Sequence, residues 1–239
     1  MPDLSLTAFS FRLPALALLA ALALPLAPAD AATITYSPTA PSFDANDITQ
    51  LSVGADPTPG ADNVHYIGGG VPAQGQTFSV SAAGLIEAIT VKVEPKFSSV
   101  AADTTLTLRI NSVTVNPETQ APTLVTLLTQ SGLLQPIGDN EGPYITFQLD
   151  TPYAVAPGTT YGFDFSTNAA YFAFTSAEDI AYSGGTAYTS QSDANATLRG
   201  LDRTFHIALS PVPEPSSVAL ALLGSIGVMS IRRRRAARR

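Results

Sequence analysis

The sequence predicts an all-β body, an antiparallel β-sandwich or jelly roll, set between two hydrophobic ends. Three observations carry this. From Gln76 onward, apolar residues recur at every second position, the spacing that puts one face of a strand into a core. Clusters of Pro, Gly, Asn and Asp separate these runs. No body segment sustains the 3.6-residue period of a helix. Eight or more short strands joined by turns fit two packed antiparallel sheets.

In chain order, residues 1–31 read as a secretory signal peptide. Arg12 supplies the positive end, Leu13 to Leu26 an Ala/Leu core, and small residues follow. A cut after Ala31 keeps proline away from the scissile bond, whereas one after Ala29 would sit beside Pro28. The exported domain then runs over residues 32–211. Its first part is rich in Pro, Asp, Asn and Gly, with brief strand-like pieces at Thr33 to Tyr36 and near Ile48 to Val53. Gly68-Gly69-Gly70 reads as a flexible loop, because no Lys-Ser or Lys-Thr follows to make a phosphate cradle. The strands proper come next. Phe78 and Val80; Ile89, Val91 and Val93; Leu106, Leu108 and Ile110 each alternate with polar residues, and Thr123 to Leu128 makes another apolar piece. Then follow Ile145, Phe147 and Leu149; Tyr161, Phe163 and Phe165; the Tyr171 to Phe174 run; and Phe205, Ile207 and Leu209. Phe147, Phe163 and Phe205 are in phase with apolar neighbours two residues away and are expected to share one core.

Charge narrows the partners. Between Thr33 and Pro211 there are five basic side chains (Lys92, Lys96, Arg109, Arg199, Arg203) against sixteen acidic ones, a net charge of −11. Such a surface repels nucleic acid and anionic lipid, whose binding relies on clustered Lys and Arg. With no cysteine, disulfides and thiolate metal sites are excluded. With no tryptophan, any sugar platform falls to the eight tyrosines, Tyr182 and Tyr188 being the loop candidates for glycan contact.

Catalytic chemistry is sparse. His65 lies in the glycine-rich region and His206 on the polar phase of the last strand, and both read as surface or loop histidines. Neither His-Glu-x-x-His nor Gly-x-Ser-x-Gly occurs. Paired carboxylates are the one catalytic resource in quantity, and a glycosidase needs only two at a suitable separation. Acidic turns also suit calcium, a hard cation that takes oxygen ligands. Asp139, Asn140 and Glu141 form the densest candidate loop; Asp193, Asn195 and Asp202 form the next.

The C-terminal residues 212–239 have a separate organisation. Pro213-Glu214-Pro215 imposes an extended exit from the domain, an uncharged run follows from Val218 to Ile231, and Arg232, Arg233, Arg234 and Arg235 close it, with Arg238 and Arg239 beyond. The 14 apolar residues rise about 21 Å as a helix, short of the ~30 Å hydrocarbon core. The arginines hold their end in the cytoplasm. The order Pro-Glu-Pro, short hydrophobic helix, arginine cluster resembles the PEP-CTERM sorting signal. That resemblance implies recognition by an exosortase, a membrane-embedded transpeptidase-like enzyme of Gram-negative, exopolysaccharide-making bacteria. Pro213, Glu214 and Pro215 would be the motif it reads, 218–231 the membrane helix and Arg232 to Arg235 the cytoplasmic stop.

A second, shorter resemblance covers Ala156-Pro157-Gly158-Thr159-Thr160-Tyr161-Gly162-Phe163, which is similar to the strand start of exported bacterial β-sandwich modules, including choice-of-anchor domains. Together these readings predict a non-enzymatic exported protein of the envelope or extracellular matrix, associated with exopolysaccharide or biofilm. A carbohydrate-binding module is the alternative, and a carboxylate-dependent glycoside hydrolase the second.

Overall fold

Residues that alternate apolar and polar side chains gain most from a pleated, half-buried surface, and that pattern becomes fourteen strands with no helix among the described residues. A computed structural model describes residues 32–51, 64–94, 100–135, 143–169, 172–177, 182–192 and 195–212. The strands are β1 (Thr33–Ser37), β2 (Ile48–Gln50), β3 (Val64–Ile67), β4 (Ala73–Ser79), β5 (Gly84–Lys92), β6 (Thr105–Val115) and β7 (Pro122–Leu133). The series continues with β8 (Tyr144–Val155), β9 (Thr160–Thr167), β10 (Phe172–Ala177), β11 (Ala187–Ser190), β12 (Ala196–Leu198), β13 (Asp202–Arg203) and β14 (Phe205–Pro211). The signal-peptide and membrane-helix readings lie outside the described residues.

All the strand pairs are antiparallel. They build a five-stranded sheet in the order β1-β8-β5-β14-β2, a six-stranded sheet β12-β11-β4-β9-β6-β7, and a small sheet β13-β10-β3. One core joins them. Phe147 on β8 meets Phe165 on β9 with ring centroids 5.9 Å apart, and Phe163 on β9 meets Phe205 on β14 at 5.4 Å. Phe147, Phe163 and Phe205 therefore share the core that their phase predicts, and each is at most 1% exposed.

The six-stranded sheet curls until its edge strands β12 and β7 approach each other, which shields part of the β7 edge. A bulge lies within the curled sheet. Ile110 of β6 pairs with Leu128 of β7 but Asn111 pairs with Thr126, so Leu127 is the extra residue. Before it, Leu124 faces a second, smaller cluster with Val113 and Tyr188; after it, Leu128 faces the main core. The apolar piece at Thr123 to Leu128 thus changes faces midway, which simple alternation does not reveal.

Two local readings of the sequence are sharpened by the fold. Gly68 to Gly70 is a tight hairpin turn, not a loose loop: φ is 87°, 57° and 86°, Val71 N–H donates to Gly68 O at 2.9 Å, and Gly69 N–H to Ala169 O at 3.0 Å. The Pro157-Gly158 turn, with Gly158 at φ 83°, is capped by Tyr161, whose hydroxyl accepts the Ala156 N–H at 3.0 Å. This explains why a tyrosine follows the turn at that spacing.

Candidate functional site

The six-stranded sheet buries one face in the main core, which leaves every other residue of β6 and β9 pointing the opposite way. Asp164 stands there between Phe163 and Phe165, and it is fully buried. Its Oδ1 accepts from Arg109 Nε at 2.8 Å. Its Oδ2 accepts from Arg109 at 3.1 Å, Asn111 Nδ2 at 2.9 Å and the Tyr188 hydroxyl at 3.0 Å. Burial pushes the Asp164 carboxyl above its ordinary value, while the Arg109, Tyr188 and Asn111 donors pull it down. Burial also drives the Tyr188 phenol well above its usual range, so it remains a proton donor in this network.

Glycines make this arrangement fit. A Cβ on Gly75 of β4 would lie 2.5 Å from Tyr188 Cζ, and one on Gly162 of β9 would lie 3.0 Å from the Tyr188 hydroxyl. The tyrosine ring lies across both strands because neither has a side chain to lift it. Tyr188 is therefore not a loop residue open to glycan. It belongs to β11 and has no exposed surface. Tyr182 is half-buried, its ring edge-on to Phe205 at 5.3 Å. The glycan-contact expectation is corrected for Tyr188, whose ring has no surface to offer; Tyr182 lies in a loop and keeps part of its ring at the surface. Asp164 was hidden among apolar neighbours, although Gly75 and Gly162 inside strands were a readable sign that something crosses there closely.

Beside this network, an open polar cleft of about 530 Å³ is lined by Arg109, Ser166, Thr167, Ser190 and Gln191 together with the Gly68 to Ala73 turn. Arg109 links the two, since it also donates to Ser190 Oγ at 3.2 Å.

Both histidines lie in strands, His65 half-buried in β3 and His206 buried in β14. His206, 5% exposed, meets Asp47 Oδ2 at 3.0 Å. Asp47 Oδ2 also accepts Asp44 N–H at 2.8 Å, and Oδ1 accepts Leu209 N–H at 2.8 Å. Burial pushes the Asp47 carboxyl up, but the two amides and His206 together hold it below its ordinary value. His65 sits in β3, where burial and the cations of Arg203 and Arg199 lower its pKa to about 4. It is neutral at physiological pH.

Asp139, Asn140, Glu141 and Asp193 lie outside the described residues. Asp202 is engaged internally: its Oδ1 accepts from Gln76 Nε2 at 2.8 Å and its Oδ2 from Tyr182 N–H at 2.6 Å. No group of three His, Asp or Glu side chains among the described residues is arranged to hold a metal. The adjacent Arg203, 3% exposed, is pinned by Ser176 and Gln74, and burial lowers its pKa to about 9.

At the other end of β14 the chain leaves the sheet. The strand ends at Pro211, and a cleft of about 350 Å³ beside it is lined by Ala45 to Ile48, Ser79 to Gly84 and Leu209 to Pro211. The chain from this point, residues 211–235, matches the PEP-CTERM protein-sorting motif. Pro213, Glu214, Pro215 and the cluster Arg232 to Arg235 fall inside the matched segment, beyond the described residues. No curated protein matches the chain. The motif defines an exported, exosortase-sorted protein that is processed at the membrane and reaches the cell envelope or the extracellular space.

Proposed function

We propose that the body is a non-enzymatic β-sandwich which contributes structurally or adhesively to the envelope or extracellular matrix, in association with exopolysaccharide or biofilm. The sorting motif, continuous with the last strand, is the observation that carries this reading. The state of the buried polar groups supports it. Asp164 and Asp202 are engaged by internal donors, so neither is poised as a general acid or a nucleophile. The membrane is a partner of the precursor, through residues 218–231.

The test is the C-terminus of the mature protein. Mass spectrometry of envelope or medium fractions is expected to find a chain that ends at or near Pro215 and lacks Arg232 to Arg239. Intact Arg239 in fully matured protein, from a host with an exosortase, would show a plain membrane anchor instead.

Carbohydrate binding is the second reading, and the polar cleft at Arg109 and Ser190 is the observation that favours it. A glycan array probed with the body separates the two. Calcium at Asp139, Asn140 and Glu141 is the one cofactor this reading includes. Calcium at a hundred times its dissociation constant is expected to add about 2.7 kcal/mol of stability. Equal melting temperatures in chelator and in millimolar calcium would remove it.

A further inference from the structure

The sorting motif begins almost on the fold. Pro211 is the last residue of β14 and Pro213 the first of the Pro-Glu-Pro motif, so Val212 alone intervenes. Fully extended, the two prolines are about 7 Å apart, and the apolar run that starts at Val218 is at most about 24 Å from Pro211. An enzyme that reads an extended peptide encloses backbone on both sides of the residues it recognises. Stacked sheets about 10 Å apart are too thick to follow the chain into such a groove.

Strand β14 has two unlike halves. Phe205 to Ile207 pairs with β5 on one side and β2 on the other, and Phe205 and Ile207 have no exposed surface. From Ala208 to Pro211 the strand pairs with β5 alone, and burial falls from half-buried to exposed at Pro211. A bulge between Ala208 and Leu209 marks the boundary. At that bulge the Leu209 N–H goes to Asp47 Oδ1 instead of a neighbouring strand. Pro211 has no N–H to add. A cleft lies beside Leu209 to Pro211.

We propose that Ala208 to Pro211 is a releasable extension of the sorting linker, with Asp47 as its latch. In the precursor this half-strand leaves β5 and enters the membrane-embedded sorting peptidase as extended chain ahead of Pro213. Release lengthens the free approach from one residue to five, from about 3 Å to about 17 Å. The firmly paired half keeps Phe205 and Ile207 in the core meanwhile, and only Leu209, which packs at the core's margin, is withdrawn. The proposal rests on exosortase sorting and adds how the fold presents its own signal.

A cross-link tests it in the full-length precursor, in the host that carries the exosortase. Ser210 pairs with Leu85 across β14 and β5, and the native chain has no cysteine to compete. In the double variant Leu85→Cys, Ser210→Cys, oxidation locks the half-strand down. The oxidised form is expected to accumulate as precursor in a pulse-chase, and reductant is expected to restore maturation. A flexible Gly/Ser insert of about six residues between Pro211 and Val212 is expected to relieve the block without reduction. Asp47→Ala, with the latch opened, is expected to mature faster than the native chain. Maturation of the oxidised variant at the native rate, or a block that neither reductant nor insert relieves, overturns the proposal. Normal maturation of Glu214→Ala would instead overturn the sorting reading itself, whatever the cross-link does.

Discussion

Glu214→Ala is expected to leave the protein as uncleaved, membrane-held precursor, with the mature form lost from envelope and medium fractions. Between two prolines that hold the backbone extended, Glu214 is the one charged side chain ahead of the apolar run. A plain anchor needs only an apolar segment and a cationic end. Nothing in membrane physics requires the Pro-Glu-Pro sequence, so its effect isolates recognition by the peptidase from insertion. Arg234→Ala provides the contrast. Five arginines remain to fix topology, and maturation is expected to continue. Immunoblots of fractionated cells read both, and unchanged maturation of Glu214→Ala would count against recognition of the motif.

Asp164→Ala is expected to cost about 3–5 kcal/mol of folding stability, the usual result of removing one partner from a buried ion pair. Four hydrogen bonds converge on this carboxylate, and its loss leaves Arg109, Asn111 and Tyr188 without their shared acceptor. For a domain of this size each kcal/mol lowers Tm by about 2–4 °C. Denaturant melts followed by circular dichroism measure it. Replacing Arg109 together with Asp164 by apolar residues should recover part of the loss, since no charge is then stranded. A cost below about 1 kcal/mol for Asp164→Ala would mean that water enters the network and that the site is not a structural keystone.

Much of the architecture was legible because a strand that buries one face must alternate. Phe163, Phe165 and Tyr161 announced β9, and Leu106, Leu108 and Ile110 announced β6. What alternation conceals is the fate of the opposite face. A polar residue between two aromatics reads the same whether its face meets water or a second layer. The curl of the six-stranded sheet covers that face, so Asp164, Asn111 and Tyr188 are buried although their phase is the solvent phase.

The chain by itself determined the all-β class, the turns, the acidic body without cysteine, and the C-terminal signal, because periodicity, proline geometry and charge act locally along the sequence. Only the tertiary structure decided which polar residues are structural. Tyr188 reaches Asp164 across 24 residues of separation, Asp47 reaches Leu209 across 162, and Gln76 reaches Asp202 across 126. Such partners meet only when several strands have paired in register, and no local pattern encodes that meeting.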